Sequence, residues 1–207
     1  MPRPALALPV LILVTAVSMA SCTGTDAPPT PSTTSTTTTE STLRPSVPPE
    51  AAQPVDLRPH RLQPCALLSK DQVTELDLPP QTSEGANTES GICEWFTNQS
   101  APGRTETYLF RLEIILSGDP LAEVYRESND LNATTKDLIW QVFEERTIRG
   151  LPAALRSRFD PAASCEVVVG AGSTQGISMS ASTGGSDPEL CQRMVTAAEW
   201  VVDAARA

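Results

Sequence analysis

The chain carries one histidine, His60, set between Pro59 and Arg61. A general base works from a fixed position about 3 Å from the proton it takes, and a proline-flanked linker residue has no such position. A Ser-His-Asp triad, a Cys-His pair and a histidine-based zinc site are therefore not expected. Neither Gly-x-Ser-x-Gly nor Ser-x-x-Lys occurs. The run Gly170-Ala171-Gly172-Ser173-Thr174-Gln175-Gly176 lacks the Lys-Ser/Thr ending of a phosphate loop and misses the dinucleotide spacing by one residue. It reads as a hairpin turn. Glu144 and Glu145, as neighbours on a strand, would face opposite sides of a sheet, which suits a solvated edge and not a carboxylate dyad. Calcium-loop spacing is absent as well. The expectation is a protein that is not an enzyme, with no catalytic residue, no metal and no cofactor.

Two groups of residues are harder to dismiss. Arg146, Arg149, Arg156 and Arg158 concentrate positive charge in an acidic chain, and guanidinium forks match carboxylates, phosphates and acidic polymers. They are candidate anion-binding residues, against the alternative that they pair with nearby carboxylates. Trp95, Trp140 and Trp200 would line a ligand pocket or, spread over two strands and a helix, fill the core.

Of five cysteines, Cys22 stands apart from Cys65, Cys93, Cys165 and Cys191. It ends Met19-Ala20-Ser21-Cys22, after the basic Arg3 and an apolar run from Ala5 to Met19. That run is short for a membrane span of about 20 residues and reads as an export segment, residues 1–21. Small residues before a cysteine resemble the lipobox of bacterial lipoproteins, which implies cleavage before Cys22 and a diacylglycerol on its sulfur. Residues 22–60 follow as a Pro/Ser/Thr-rich tether, too polar to bury a core. Its 39 residues to Arg61 would reach about 35 Å if coiled and roughly 120 Å if extended. The remaining four cysteines form an even set, expected as two disulfides in an exported domain. Spacing alone leaves three pairings open. Cys65–Cys93 with Cys165–Cys191 is favoured, each closing about 27 residues for roughly 3.5 kcal/mol in the chain-entropy model.

The formal charge of −10 and pI of 4.6 exclude the basic footprint of a nucleic-acid binder. From Arg61 onward, 12 basic and 21 acidic residues leave −9. An anionic membrane surface repels such a domain, so membrane contact is expected through the lipid alone.

The elements that position these residues are legible in patches. Ser69 and Gln72 make a capping box for a short helix over 70–76, stopped by Pro79-Pro80. Residues 81–91 read as polar loop. Residues 92–96 form a strand, and Tyr108 to Leu116 alternate with a period of two. Asp119-Pro120 starts a helix that buries Leu121, Val124, Tyr125 and Ser128. A strand is expected over 138–148, turned by Gly150-Leu151-Pro152. A hairpin pairs 165–169 with 176–181. Asp187-Pro188 opens a last helix to about Ala205, burying Leu190, Met194, Ala198, Val201 and Val202. The sum is an α+β domain, residues 61–207, with an antiparallel sheet and three helices: a short N-terminal one, a middle one and a C-terminal one.

Pro64-Cys65-Ala66-Leu67-Leu68-Ser69, Cys93-Glu94-Trp95, Cys165-Glu166-Val167-Val168-Val169 and Pro188-Glu189-Leu190-Cys191, on a chain with a lipobox and tether, resemble the actinobacterial envelope lipoproteins grouped as domain of unknown function 3558. The resemblance covers roughly residues 62–205 and implies a lipid-anchored protein on the outer face of the cell membrane. It supplies no activity and no catalytic residues. The expected function is a non-catalytic binding or accessory module of the envelope, with an envelope protein or wall polymer as partner. The alternative is a binder of small ligands or anionic wall polymer, with a pocket between the sheet and the C-terminal helix. An envelope hydrolase ranks last.

Overall fold

The computed structural model describes residues 48–79, 81–101, 104–134 and 140–207. The expected signal segment, Cys22 and most of the tether lie outside these residues. Seven strands form one antiparallel sheet: β1 (Gln81–Ala86), β2 (Ser90–Ala101), β3 (Arg104–Ile115), β4 (Val142–Ile148), β5 (Leu151–Ser157), β6 (Ser164–Gly170) and β7 (Gly176–Thr183). Their order across the sheet is β1-β2-β3-β7-β6-β5-β4. Two meanders, β1 to β3 and β4 to β7, thus meet at β3 and β7. Between them runs α2 (Pro120–Thr134), which carries the chain to the far edge; α1 (Lys70–Glu75) and α3 (Leu190–Ala205) complete the α+β fold.

Local chemistry explains the helices. Ser69 Oγ accepts from Gln72 N and Gln72 returns the bond to Ser69 N at 2.8 Å, so the capping box forms. This helix is the first α-helix described, but it does not open the fold: two 3-10 turns at Arg58–His60 and Pro64–Leu67 precede it. Asp119 Oδ1 accepts from Leu121 N and Ala122 N at 3.1 and 3.0 Å. Leu121, Val124, Tyr125 and Ser128 are buried along the inner face of α2, as its periodicity requires. Asp187 accepts from Glu189 N through Oδ1 and from Leu190 N through its carbonyl. The turn that results moves the start of α3 to Leu190, three residues beyond the expected start.

Three sequence expectations need correction. Residues 81–91 are not a loop: β1 is an exposed edge strand paired with β2 from Gln81↔Phe96 to Ala86↔Gly91. It has no apolar face to bury, so no hydrophobic alternation marks it. The strand expected over 138–148 begins at Val142, and Leu138 is outside the described residues. Leu151 and Pro152 do not turn the chain but begin β5, whose residues are nearly all buried. The turn is the two residues Arg149 and Gly150, with φ of 49° and 78°, a left-handed pair that joins Ile148 to Leu151 tightly. Pro152 is tolerated because β5 pairs with β6 only from Ala153 onward.

Alternation divides the sheet into two unlike faces. Toward α3 point Phe110, Leu112, Ile114, Leu155, Val167, Val169, Ile177 and Met179. These pack with Leu190, Met194, Ala198, Val201 and Val202 as one core, all nearly or wholly buried. Trp95 joins it edge-on to Phe110 at 5.4 Å. Both disulfides sit here. Cys65–Cys93, with Cα atoms 5.1 Å apart, ties the second 3-10 turn to β2; Cys165–Cys191, at 5.4 Å, ties β6 to α3. The favoured pairing is the one formed. These side chains pack the sheet against the C-terminal helix, where the sequence reading places a pocket. On the other face, Leu121, Val124 and Tyr125 of α2 cover Ala154 and Val168 in a smaller cluster.

The boundary expected at Arg61 falls inside the packed chain. Leu57 is wholly buried and Val55 nearly so, with Val55 N donating to Ala171 O and Leu57 N to Gln175 Oε1, both at 2.8 Å. His60 is half-buried in the first 3-10 turn, and no described cluster of His, Cys, Asp and Glu gathers around it.

Candidate functional site

The face opposite α3 carries the site. Register places Ser83, Glu94, Arg111, Ser180, Glu166, Arg156 and Phe143 side by side, one from each strand. A sheet seven strands wide thus bears a polar row of alternating charge where a second core would otherwise lie. Arg111 bridges Glu94 at 3.4 Å and Glu113 at 3.0 Å. Arg156, its side chain 11% exposed, gives Nε to Glu166 at 2.5 Å and Nη1 to Glu127 of α2 at 2.7 Å. Burial pushes this guanidinium's pKa down, but Glu166 and Glu127 outweigh that and raise it. Glu127 also takes Arg158, and Glu166 takes Ser178 Oγ at 3.2 Å.

Helix α2 lies over β5, β6 and part of β7, the central strand, and Ser180 and Ser182 of β7 line a cleft beyond it. β7 offers only serines there: Ser178, Ser180 and Ser182. Two clefts follow. One, about 340 Å³, lies between Ser180, Ser182, Leu109, Trp140, Arg158 and Phe159. The second, about 390 Å³, runs under α2 past Ile115, Val124 and Ser178. Arg156 and Glu166 border both. Such volumes lie at the small end of ligand sites. The Arg156 and Arg158 guanidiniums lie 4.5 and 4.7 Å from the centre of the Trp140 ring, close enough for cation–π attraction. Trp140 is nearly buried, and its indole N–H finds no acceptor among the described residues. On α2, burial pushes the Tyr125 phenol up to about 12, with the Glu145 carboxylate adding to the shift.

The four candidate arginines are not one cluster. Arg156 and Arg158 stand together at Trp140. Arg146, on the edge strand, pairs with Glu144 at 2.5 Å. Arg149 reaches the other face, bonding Asp203 at 3.0 Å and Glu199 at 3.5 Å on α3. Every one has a carboxylate partner, so the composite anion site does not form. Spacing along β4 and β5 could not show this, because the turn at Arg149-Gly150 separates the two pairs. Of the tryptophans, Trp95 is core, Trp140 lines the cleft and Trp200 is partly buried at the core's margin. Sequence reasoning missed the β7 serine face, although Ser178-x-Ser180-x-Ser182 was its signal.

The pairs differ in weight, which gives a direct expectation. Arg156→Ala should cost about 2–4 kcal/mol, since the half-buried Glu166 loses its arginine and Glu127 keeps only Arg158. Arg146→Ala should cost no more than ~0.5 kcal/mol, as exposed pairs do. Equal denaturant midpoints for the two variants would contradict this assignment of Arg156.

Fold and site together define a disulfide-stapled antiparallel α+β domain with one sheet face sealed by a helix and the other grooved. The chain belongs to the family described as Protein of unknown function (DUF3558), whose model matches residues 17–204. No curated protein and no solved structure matches the chain.

Proposed function

We propose that this chain is an actinobacterial lipoprotein, cleaved before Cys22 and held by a diacylglycerol on that residue at the outer face of the cell membrane. The domain it displays is a non-catalytic binding or accessory module. The observation that carries this reading is the cysteine account. Cys65–Cys93 and Cys165–Cys191 are paired, which suits an oxidising compartment, and Cys22 is the one left over for a lipid. No described helix is long and apolar enough to cross a membrane. Binding is favoured over chemistry because the carboxylates lining the clefts are engaged: Glu123, Glu127 and Glu166 are held by arginines, and Asp119 caps α2. Anionic wall polymer is the weaker alternative ligand, since Arg146, Arg149, Arg156 and Arg158 are all engaged.

The test is detergent-phase partitioning of intact protein and a Cys22→Ser variant, with mass analysis of the mature N-terminus. The unaltered chain should enter the detergent phase with a diacylglyceryl mass on Cys22, and the variant should stay aqueous. A mature chain without lipid sinks the anchored reading. Cross-linking on intact cells, compared between the two forms, then identifies what the displayed domain meets.

A further inference from the structure

Resting on the binding reading, we infer that the cleft between Trp140, Phe159 and β7 takes a neutral, hydroxyl-rich ligand, a saccharide unit, and not an anion. Three features point this way. First, the cleft's charges are already balanced: Arg156 and Arg158 face Glu127 and Glu166. An anion would have to displace a carboxylate held by two guanidiniums, inside a domain of net charge −9. Hydroxyls need displace nothing. The guanidiniums donate and the carboxylates accept in their existing positions, and such preorganisation lowers the cost of binding.

Second, the wall holds an unmet donor. The indole N–H of Trp140 is buried without an acceptor among the described residues, a state that costs about 1–3 kcal/mol. That nitrogen is itself shielded from solvent, so a ligand hydroxyl relieves it only as binding shifts the ring edge toward the cleft that Trp140 lines. Third, the cleft joins a flat polar floor to an apolar rim. Ser180 and Ser182 form the floor, and Phe159, 68% exposed, is one of only two large hydrophobic side chains exposed to that degree among the described residues. A sugar ring has the same division, with C–H faces for an aromatic ring and hydroxyls at its edge.

The experiment uses the intact domain with its disulfides and a panel of maltotetraose, chitotetraose and mannotetraose, set against inorganic phosphate and polyglutamate. At least one neutral tetrasaccharide should raise the melting temperature and perturb tryptophan fluorescence. Its affinity should be unchanged between ~50 mM and ~500 mM salt, where an ion-pairing ligand would weaken. Phe159→Ala and Ser182→Phe change exposed positions, so both should fold normally and bind about tenfold more weakly. Trp140→Phe keeps an aromatic six-membered ring, removes the indole N–H and should lower affinity similarly. Salt-sensitive binding of an anion in place of the sugars overturns the saccharide assignment while the binding reading stands. Silence from every probe at 10 mM, roughly the weakest affinity worth calling a site, overturns the assignment and removes the cleft as its location. Sugar binding unchanged in Phe159→Ala and Ser182→Phe overturns it too.

Discussion

Adding a reductant that opens both disulfides should lower the thermal midpoint of this domain by roughly 15–25 °C. The arithmetic is short. Loops of 28 and 26 residues each remove roughly 3.5 kcal/mol of chain entropy from the unfolded state. At this size each kcal/mol moves the midpoint by about 2–4 °C. The two bridges do different jobs, so variants should separate them. Cys165–Cys191 joins adjacent core elements, and Cys165→Ala/Cys191→Ala should loosen α3 against β6. Cys65–Cys93 holds the segment before α1, including Leu67 and Leu68, against β2. Each double variant should account for about half the loss. Melting unchanged by reductant, with thiols shown to be free, would mean that the bridges add nothing to stability.

Why were these pairs readable and the cleft not? The helices announced themselves through local chemistry: Ser69 and Gln72, Asp119 and Pro120, Asp187 and Pro188 act within four residues of themselves. Strand β3 was equally plain because Phe110, Leu112 and Ile114 are buried on one side only. β1 and β5 escaped for opposite reasons. Residues 82–86 are exposed throughout, whereas Leu151–Ser157 is buried on both faces, and neither alternates. The arginines failed for a reason of distance. Arg156 is answered by Glu127 and Glu166, 29 and 10 residues away, and only the sheet's register brings all three together. A serine stripe on β7 is likewise neutral in sequence. It acquires meaning when β7 proves to be the central strand and Ser180 and Ser182 line a cleft.

The same blindness to distant partners hid the domain's true beginning, and it yields a second large effect. A chain starting at Arg61 should fail to fold stably, while one starting at Pro48 should behave as the full domain does. Pro54-Val55-Asp56-Leu57 looks like tether because two lone apolar residues among prolines and charges form no periodic pattern. Their partners, Ala171 and Gln175, lie in the β6–β7 loop, 116 and 118 residues further on. Yet Leu57 is wholly buried in the main core. Losing it together with Val55 removes two side chains worth about 1.5–3 kcal/mol each and exposes the surface they covered. Two hydrogen bonds at about 1 kcal/mol each go with them. The total, about 5–8 kcal/mol, rivals the whole stability of an ordinary domain, about 5–15 kcal/mol. Leu57→Ala alone should cost about 2–5 kcal/mol. Equal melting of the chains starting at Pro48 and Arg61 would show the segment to be passive. If it is not, the segment before Arg61 belongs to the core, which Ala51, Val55 and Leu57 join from the N-terminal side.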